Sequence, residues 1–232
     1  MKIMTFNTQH CKNYLEQFID IPLMAKVIRD SGADIVSLNE MYGQGSAPNY
    51  TDQTGTLAQM TGMHHYFARA IGYDGVKPYG NGLLSRLPIV EAQTILIPDP
   101  PVKNGPKNYE TRCVLKAKLE GGITVLVTHM GLNPNEEENA VQTVLENLET
   151  EKCILMGDFN VLPDDPVLLP IRQRMKDAAD LIPGPVPLTW PSDAPEKKLD
   201  YIFVTPDVEI LWAEVPRIIA SDHFPHVAEV KL

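Results

Sequence analysis

The stretch Cys153–Asn160 reads CILMGDFN. Its first four residues are continuously apolar, as a central strand covered on both faces is. The run then stops at Gly157–Asp158–Phe159–Asn160, which delivers a carboxylate and an amide at a strand's carboxyl end. In open α/β sheets, ligands gather at that end. The same arrangement recurs outward in both directions. Ile3–Phe6 ends at Asn7, Ile35–Leu38 at Asn39–Glu40, and Ile123–Thr128 at His129. Further on, Leu199–Asp200 leads into Tyr201–Val204, and Ser221–Asp222–His223 precedes Val227–Val230. Alone, each of these residues has an ordinary structural role open to it: a turn, a cap, a surface pair or a satisfied imidazole. Together they predict one rim of convergent polar groups.

Between these runs lie further strand patterns at Leu83–Leu84, Ile89–Ile97, Val114–Leu119 and Val208–Ala213. Val114–Leu119 alternates, with Leu115, Ala117 and Leu119 on one face and Lys116 and Lys118 on the other, so one side is expected to be wet. Three helices are legible. One starts near Pro22 and ends at Ser31–Gly32, a short one covers Thr54–Thr61, and the clearest covers Glu136–Glu149. The acidic triplet Glu136, Glu137 and Glu138 reads as a dipole partner and solvated face rather than a metal site. Long Pro- and Gly-rich loops cover Gly43–Gln53, Gly72–Gly80, Pro98–Glu110 and Leu181–Lys198. Strand patterns resume after each loop without a change in composition. We therefore expect a single domain over residues 1–232, with two packed sheets covered by helices.

Composition narrows the function. The chain has 232 residues, 44% of them hydrophobic and 22% charged, which excludes disorder, collagen and coiled coil as the main state. No apolar run reaches the ~20 residues of a membrane span. The opening MKIMTFNTQHCKNY breaks at Asn7 before a signal-peptide core develops, and Cys11, Cys113 and Cys153 do not form a disulfide framework. Both features predict a cytoplasmic protein. The net charge of −10 argues against long DNA or RNA as the substrate, because phosphate neutralisation needs a basic surface.

Taken in order, the segments TFN (Thr5–Asn7), LNE (Leu38–Glu40), YGNGLLSR (Tyr79–Arg86), ETRC (Glu110–Cys113), THM (Thr128–Met130), GDFN (Gly157–Asn160), LDYIF (Leu199–Phe203) and SDHFP (Ser221–Pro225) span nearly the whole chain. In this order they resemble the endonuclease/exonuclease/phosphatase family, which includes pancreatic deoxyribonuclease, abasic-site endonucleases, neutral sphingomyelinases and inositol polyphosphate 5-phosphatases. The resemblance implies a four-layer α/β sandwich with two central mixed β-sheets flanked by helices. It also implies a phosphoesterase dependent on Mg²⁺ or Mn²⁺. By the same resemblance Glu40 is the main metal ligand, with Asn7 beside it and Asp222 next to the metal. Asp158 positions or deprotonates the attacking water, Asn160 holds the phosphate, and His223 contacts the phosphate or acts as base, held by Asp200. His129 matches a histidine offered to the leaving group. The identity of the general base is left open.

Elementary electrostatics points the same way. Like charges about 4 Å apart repel by about 4 kcal/mol at an effective dielectric of about 20. Four convergent carboxylates (Glu40, Asp158, Asp200, Asp222) must therefore take up protons, pair with an imidazolium or bind a cation. Carboxylate and amide oxygens suit Mg²⁺ or Mn²⁺ better than zinc.

The substrate is less legible. His129 followed by Gly131–Pro134 departs from the abasic-site branch, and the acidic Val161–Asp165 after GDFN departs from the inositol phosphatases. Arg112 is expected to grip phosphate or to pair with Glu110, and Asn81 to reach substrate or to make a turn. Lys103 and Lys107, in the Pro98–Glu110 loop, are expected to be solvated loop charge or to flank the pocket, and Trp190 to pack at the rim or stack on substrate. The expected function is a phosphodiesterase or phosphatase acting on a small or lipid-derived phosphoester. A DNA endo- or exonuclease of the same fold is the alternative, and a non-catalytic phosphate-ligand binding protein is the alternative from another class. Stable membrane insertion is not expected.

Overall fold

The computed structural model describes residues 1–232. In chain order it begins β1 (Lys2–Asn7), α1 (Ile21–Ser31), β2 (Ile35–Tyr42), α2 (Gln53–Thr61), β3 (His64–Ile71), β4 (Tyr79–Ser85), β5 (Ile89–Leu96), β6 (Cys113–Leu119) and β7 (Ile123–His129). It continues α3 (Pro134–Asn147), β8 (Cys153–Asp158), the one-turn α4 (Leu169–Arg172), β9 (Lys176–Asp177), β10 (Asp200–Val204), β11 (Glu209–Glu214) and β12 (His226–Lys231). The strands form two six-stranded sheets, ordered β11-β12-β1-β2-β4-β3 and β5-β6-β7-β8-β10-β9. Each sheet is mixed, with one parallel pair at its centre: β1 beside β2 in the first and β7 beside β8 in the second.

Period-two alternation makes the layers. On β1 and β2, Ile3 and Ile35 face the second sheet, while Met4, Val36 and Leu38 face α1 and α2. On β8 and β10, Ile154, Met156, Ile202 and Val204 face the first sheet, while Cys153, Leu155, Tyr201 and Phe203 pack under α3 and α4. The result is the four-layer sandwich, helices–sheet–sheet–helices. The same alternation carries Thr5 and Asn7, Ser37 and Asn39, Asp158, Asp200 and His226 into the slot between the sheets. That slot is apolar at one end and polar at the other, and the polar end is where the strand termini meet.

Local chemistry fixes the elements. Asp20 caps α1, its carboxylate accepting from the Leu23 amide at 3.0 Å, Pro22 sits in the first turn, and Gly32 closes the helix at φ 66°. Asp52 caps α2 in the same way, through the Gly55 amide. Gly157 is required twice over. Its φ is 145°, and a β-carbon there would fall 1.9 Å from the Thr128 carbonyl oxygen on the neighbouring strand.

Three expectations need correction. The Gly80–Asn81–Gly82 stretch is not a loop but the middle of β4, because a β-carbon at Gly80 would lie 1.9 Å from the Ala68 carbonyl oxygen of β3. The strand β3 itself was not anticipated. It is an edge strand whose first two residues, His64 and His65, are exposed, so it lacks a clear apolar run. Glu136 is not on a solvated face: it is buried, accepting from Asn133 Nδ2 at 2.7 Å and from the Glu110 amide at 3.2 Å. No helix is long and apolar enough to cross a membrane.

Candidate active site

Register assembles the site. On the second sheet His129, Asp158 and Asp200 stand side by side, since His129 pairs with Asp158 across β7–β8 and Asp158 with Asp200 across β8–β10. On the first sheet Asn7 pairs with Asn39. Glu40 follows in a left-handed conformation, φ 62°, where the β2–β4 register shifts between Leu38 and Met41. This irregularity turns Glu40 towards the polar rim while Asn39 stays inside. Asn160 is also left-handed, at φ 56°. Non-glycine residues hold such angles at a cost of order 1–3 kcal/mol each and cluster at functional sites.

The hydrogen bonds tie the two sheets into one constellation. Asn7 Nδ2 donates to Glu40 Oε1 at 3.1 Å and to Asp158 Oδ2 at 3.0 Å. Asp158 Oδ1 accepts from the Asn160 amide at 3.0 Å, and the Asn160 side chain donates to the Met130 carbonyl. His223 Nδ1 lies 2.8 Å from Asp200 Oδ2, and His223 Nε2 lies 3.7 Å from Asp158 Oδ2. His129 Nε2 approaches the same Asp158 oxygen at 3.6 Å, while its Nδ1 meets Arg112 Nη1 at 3.2 Å.

These contacts set protonation. Burial by itself would lower the pKa of His223, but the Asp200 and Asp158 carboxylates raise it to about 10, so the ring is a cation at neutral pH. Burial and the Arg112 guanidinium hold His129 well below the ordinary histidine range. A guanidinium can only donate, so His129 Nδ1 is the acceptor and Nε2 carries the proton that faces Asp158. Burial raises Asp158, and His223 partly offsets it. Arg112 stays charged despite burial because Tyr79 and Glu110 lie against it, the Glu110 carboxylate at 2.8 Å.

A cavity of about 400 Å³ opens over this network. Glu40, Arg112, His129, Asp158, Asn160, Asp222 and His223 all line it. Asp200 lies beneath, against His223, and Asn7 lies beneath, between Glu40 and Asp158. Two expected site residues lie off the cavity wall. Asn7 sits beneath it, its carbonyl accepting from the Gln9 amide at 3.1 Å and its NH₂ donating to the two carboxylates. Asn81 does not reach the cavity: Oδ1 accepts from Asn39 at 2.9 Å and Nδ2 donates to the Cys113 carbonyl at 3.1 Å. Asn39 in turn donates to the Thr128 carbonyl and accepts from the Asp158 amide, forming a buried clasp between the sheets.

Several residues at the site were not anticipated. Gln9, His10 and Cys11 form three successive left-handed residues, φ 47°, 50° and 58°. This turn carries Gln9 Nε2 to 3.2 Å from Asp222 Oδ2 and His10 Nδ1 to 3.9 Å from Glu40 Oε2, with the His10 ring stacked on Tyr42. Lys197 lines the cavity too, beside two residues the sequence did single out, Trp190 and Lys107. No sequence signal announces Gln9 or His10, because such turns usually advertise themselves with glycine.

The donors fit a hard divalent cation. Burial and Asp222 raise the pKa of Glu40, partly offset by Asn7, and its nearest basic group is His10, which burial keeps below its ordinary range. Glu40 therefore has no cationic partner within ion-pair distance. Gln9 Oε1 is buried with no donor, beside Asp222. Two carboxylates and an orphaned amide oxygen form an all-oxygen set. Asp158, Asp200 and His223 also bring ligand atoms within 4.8 Å of one another. There, however, the His223 imidazolium already supplies the positive charge, so the Glu40 side has the unmet need.

The endonuclease/exonuclease/phosphatase family model matches residues 4–223. The chain belongs to the endonuclease/exonuclease/phosphatase family. Among family-like structures, a functionally unknown conserved protein from Enterococcus faecalis V583 is 20% identical with a TM-score of 0.79, covering 100% of this chain and 99% of the other. A mannosyl-6-phosphatase from Bacteroides thetaiotaomicron is 17% identical with a TM-score of 0.76, both chains fully covered. A 3′ phosphatase from Neisseria, bound to product DNA hairpin, is 20% identical with a TM-score of 0.64, again over both chains. At these identities the likeness is one of fold. No curated protein sequence matches the chain.

Proposed function

We propose that the chain is a metal-dependent phosphoesterase acting on a small phosphoester with a partly apolar leaving group. The observation that carries this reading is the opposition, across one cavity, of a cation-poor oxygen set (Glu40, Asp222, Gln9) and a proton-handling set (Asp158, His129, His223). Asp158 is the base. A raised carboxylate accepts a proton from an attacking water more readily than an ordinary one. His223, held cationic by Asp200, is an electrostatic partner for the phosphate and not a base at neutral pH. Water oxygen attacks phosphorus in line, the bond to the leaving oxygen breaks, and the water proton goes to Asp158. Charge on the phosphoryl oxygens meets the His223 imidazolium, the Arg112 guanidinium and the Asn160 amide. Glu40, Asp222 and the Gln9 oxygen would hold a Mg²⁺ or Mn²⁺ ion, which would supply Lewis acidity to the reaction when bound.

The cavity favours a small ester. Its walls include the two long loops, through Lys107 on one side and Trp190 and Lys197 on the other, and its volume of about 400 Å³ lies in the small-ligand range. Leu132 and Leu162 line it while 42% and 44% exposed, offering apolar surface to a leaving group. Three buried free cysteines, with Cys11 pushed up to about 12 by burial, suit the expected cytoplasmic setting and no thiol chemistry.

The test is a Mg²⁺/Mn²⁺ screen against p-nitrophenyl phosphate, bis-p-nitrophenyl phosphate, phospholipids and plasmid DNA, with Glu40→Ala as the control. Metal-dependent hydrolysis of the small or lipid esters is expected. Preferential nicking of plasmid would favour the nuclease, and metal binding without hydrolysis of any ester would favour the non-catalytic binding protein.

A further inference from the structure

Lys107 and Lys197 are unpaired cations held over the cavity from opposite loops of an acidic chain. Their neighbours are otherwise engaged. Lys103, on the same loop as Lys107, pairs with Asp99 at 2.9 Å, and Lys198 is buried against Asp177 at 3.1 Å. Arg112, deeper in the cavity among the phosphate-handling groups, is paired with Glu110 at 2.8 Å. Neither Lys107 nor Lys197 has a carboxylate of this kind.

Both lysines are placed by dedicated backbone contacts. The fully buried Asn133 accepts from the Lys107 amide at 3.0 Å and donates to the Lys107 carbonyl at 3.2 Å. Asn133 is fixed in turn by the buried Glu136 carboxylate at 2.7 Å. On the other loop, Lys197 and Trp190 exchange backbone hydrogen bonds of 2.8 and 3.0 Å, and Lys197 Nζ lies 5.4 Å from the centre of the Trp190 ring. Two ammonium groups are thus presented at the mouth, one of them beside an aromatic face, while the phosphate-handling groups lie deeper.

Resting on the phosphoesterase reading above, we propose that Lys107 and Lys197 recognise a second anionic group on the leaving alcohol. The preferred substrate class is then a small bis-anionic phosphoester: a phosphate ester whose alcohol also carries a carboxylate or another phosphate. Positive charge concentrated at one mouth of a strongly acidic protein also steers such an anion inward.

The experiment compares phenyl phosphate, 3-carboxyphenyl phosphate and 1,3-phenylene bisphosphate by phosphate release, with a duplex oligonucleotide alongside. We expect kcat/KM for the two bis-anionic esters to exceed that for phenyl phosphate roughly tenfold at low salt, mainly through KM. That ratio falls towards one in the Lys107→Met/Lys197→Met double variant and at high salt. It persists in Lys103→Met, and each single Lys→Arg variant retains most of it, which separates recognition from misfolding. A wild-type ratio near one, or a ratio indifferent to the two lysines, overturns the inference while leaving the esterase reading intact. Preference for the oligonucleotide over the bisphosphate also overturns it. Hydrolysis of none of them removes the underlying reading itself.

Discussion

The half of the site built on the first sheet and the half built on the second hold their negative charge in different ways. On the second sheet Asp158 and Asp200 share the His223 imidazolium, which crosses from the segment before β12 to lie 2.8 Å from Asp200. On the first sheet Glu40 accepts an amide from Asn7 and lies 3.9 Å from a weakly basic His10, with His223 and Arg112 acting on it from beyond ion-pair distance, and Asp222 accepts from the Gln9 amide and the Ser221 hydroxyl. One half carries its own cation; on the metal-dependent reading proposed above, the other is arranged around one that must be brought. Neutral amides, chiefly Asn7, stand between them, so that a proton moved on one side and a cation bound on the other are felt through a single side chain.

The comparison breaks most plainly at Glu40. Glu40→Ala, or chelation of the wild type, should lower kcat/KM by ~10³ or more and remove Mn²⁺ binding measured by calorimetry. Full turnover in EDTA would refute the imported-cation half outright. Next in size is Asp200→Asn, which should reduce the rate ~10²- to 10⁴-fold because the ring of His223 loses its orientation and charge. Unchanged kinetics would dissolve the Asp200–His223 pair as a functional unit. The two substitutions should also move metal-free stability in opposite directions. Glu40→Gln removes a half-buried carboxylate without a counter-charge and should raise the melting temperature by a few degrees, about 1 kcal/mol. Asp200→Asn leaves a buried imidazolium unpaired and should lower stability by ~3 kcal/mol. Gln9→Met is subtler, with Mn²⁺ affinity expected to weaken about tenfold. Equal affinity would remove the orphaned oxygen from the donor set.

Much of this layout was readable before any coordinates, and the reason is geometric. Strand alternation makes face a matter of parity, so Asp158, Asp200, His129 and Asn7 could be placed at strand ends from apolar runs alone. Two packed sheets covered by helices followed from the number of strands and the few helices between them, and the four-layer sandwich from the family resemblance. The failures are equally physical. Gln9 meets Asp222 across a separation of 213 residues, through a left-handed turn that no glycine marks. Asn81 looked like a turn residue because glycines flank it, yet Gly80 serves the close approach of β3 and Gly82 the packing of Thr54 from α2. Lys107 is exposed, as expected, but the clamp on its backbone was hidden, because Asn133 with Glu136 lies 26 residues away at a helix start and depends on a glutamate that composition assigns to the surface. Side-chain clamps between distant loops leave no periodic trace.

The smallest effect gives the sharpest separation of the two halves. The pKa of His223 is raised to about 10, above the ~6.5 of an unfolded histidine, so the stability it draws from Asp200 is complete below about pH 6.5 and is lost as pH rises through about 10. Asp158, raised by burial, also costs stability as it ionises, but in a lower range. Lys198 pulls the other way. Its pKa is lowered to about 8 by burial, so its ionisation penalises the fold in mildly alkaline solution and is relieved as pH rises further. The wild-type melting curve alone therefore mixes opposing contributions. The difference between wild type and Asp200→Asn isolates the Asp200–His223 pair more closely, since most of the Lys198 contribution is shared; Asp200 also raises Lys198 and Asp158, so those contributions cancel only in part. That difference should be about 6–12 °C near pH 6.5, the thermal equivalent of the ~3 kcal/mol above, and shrink steadily towards pH 10 in metal-free protein. A difference that stays constant across this range would mean that Asp200 holds a neutral ring. The positive charge credited to the second half of the site would then have to come from outside, as it does in the first.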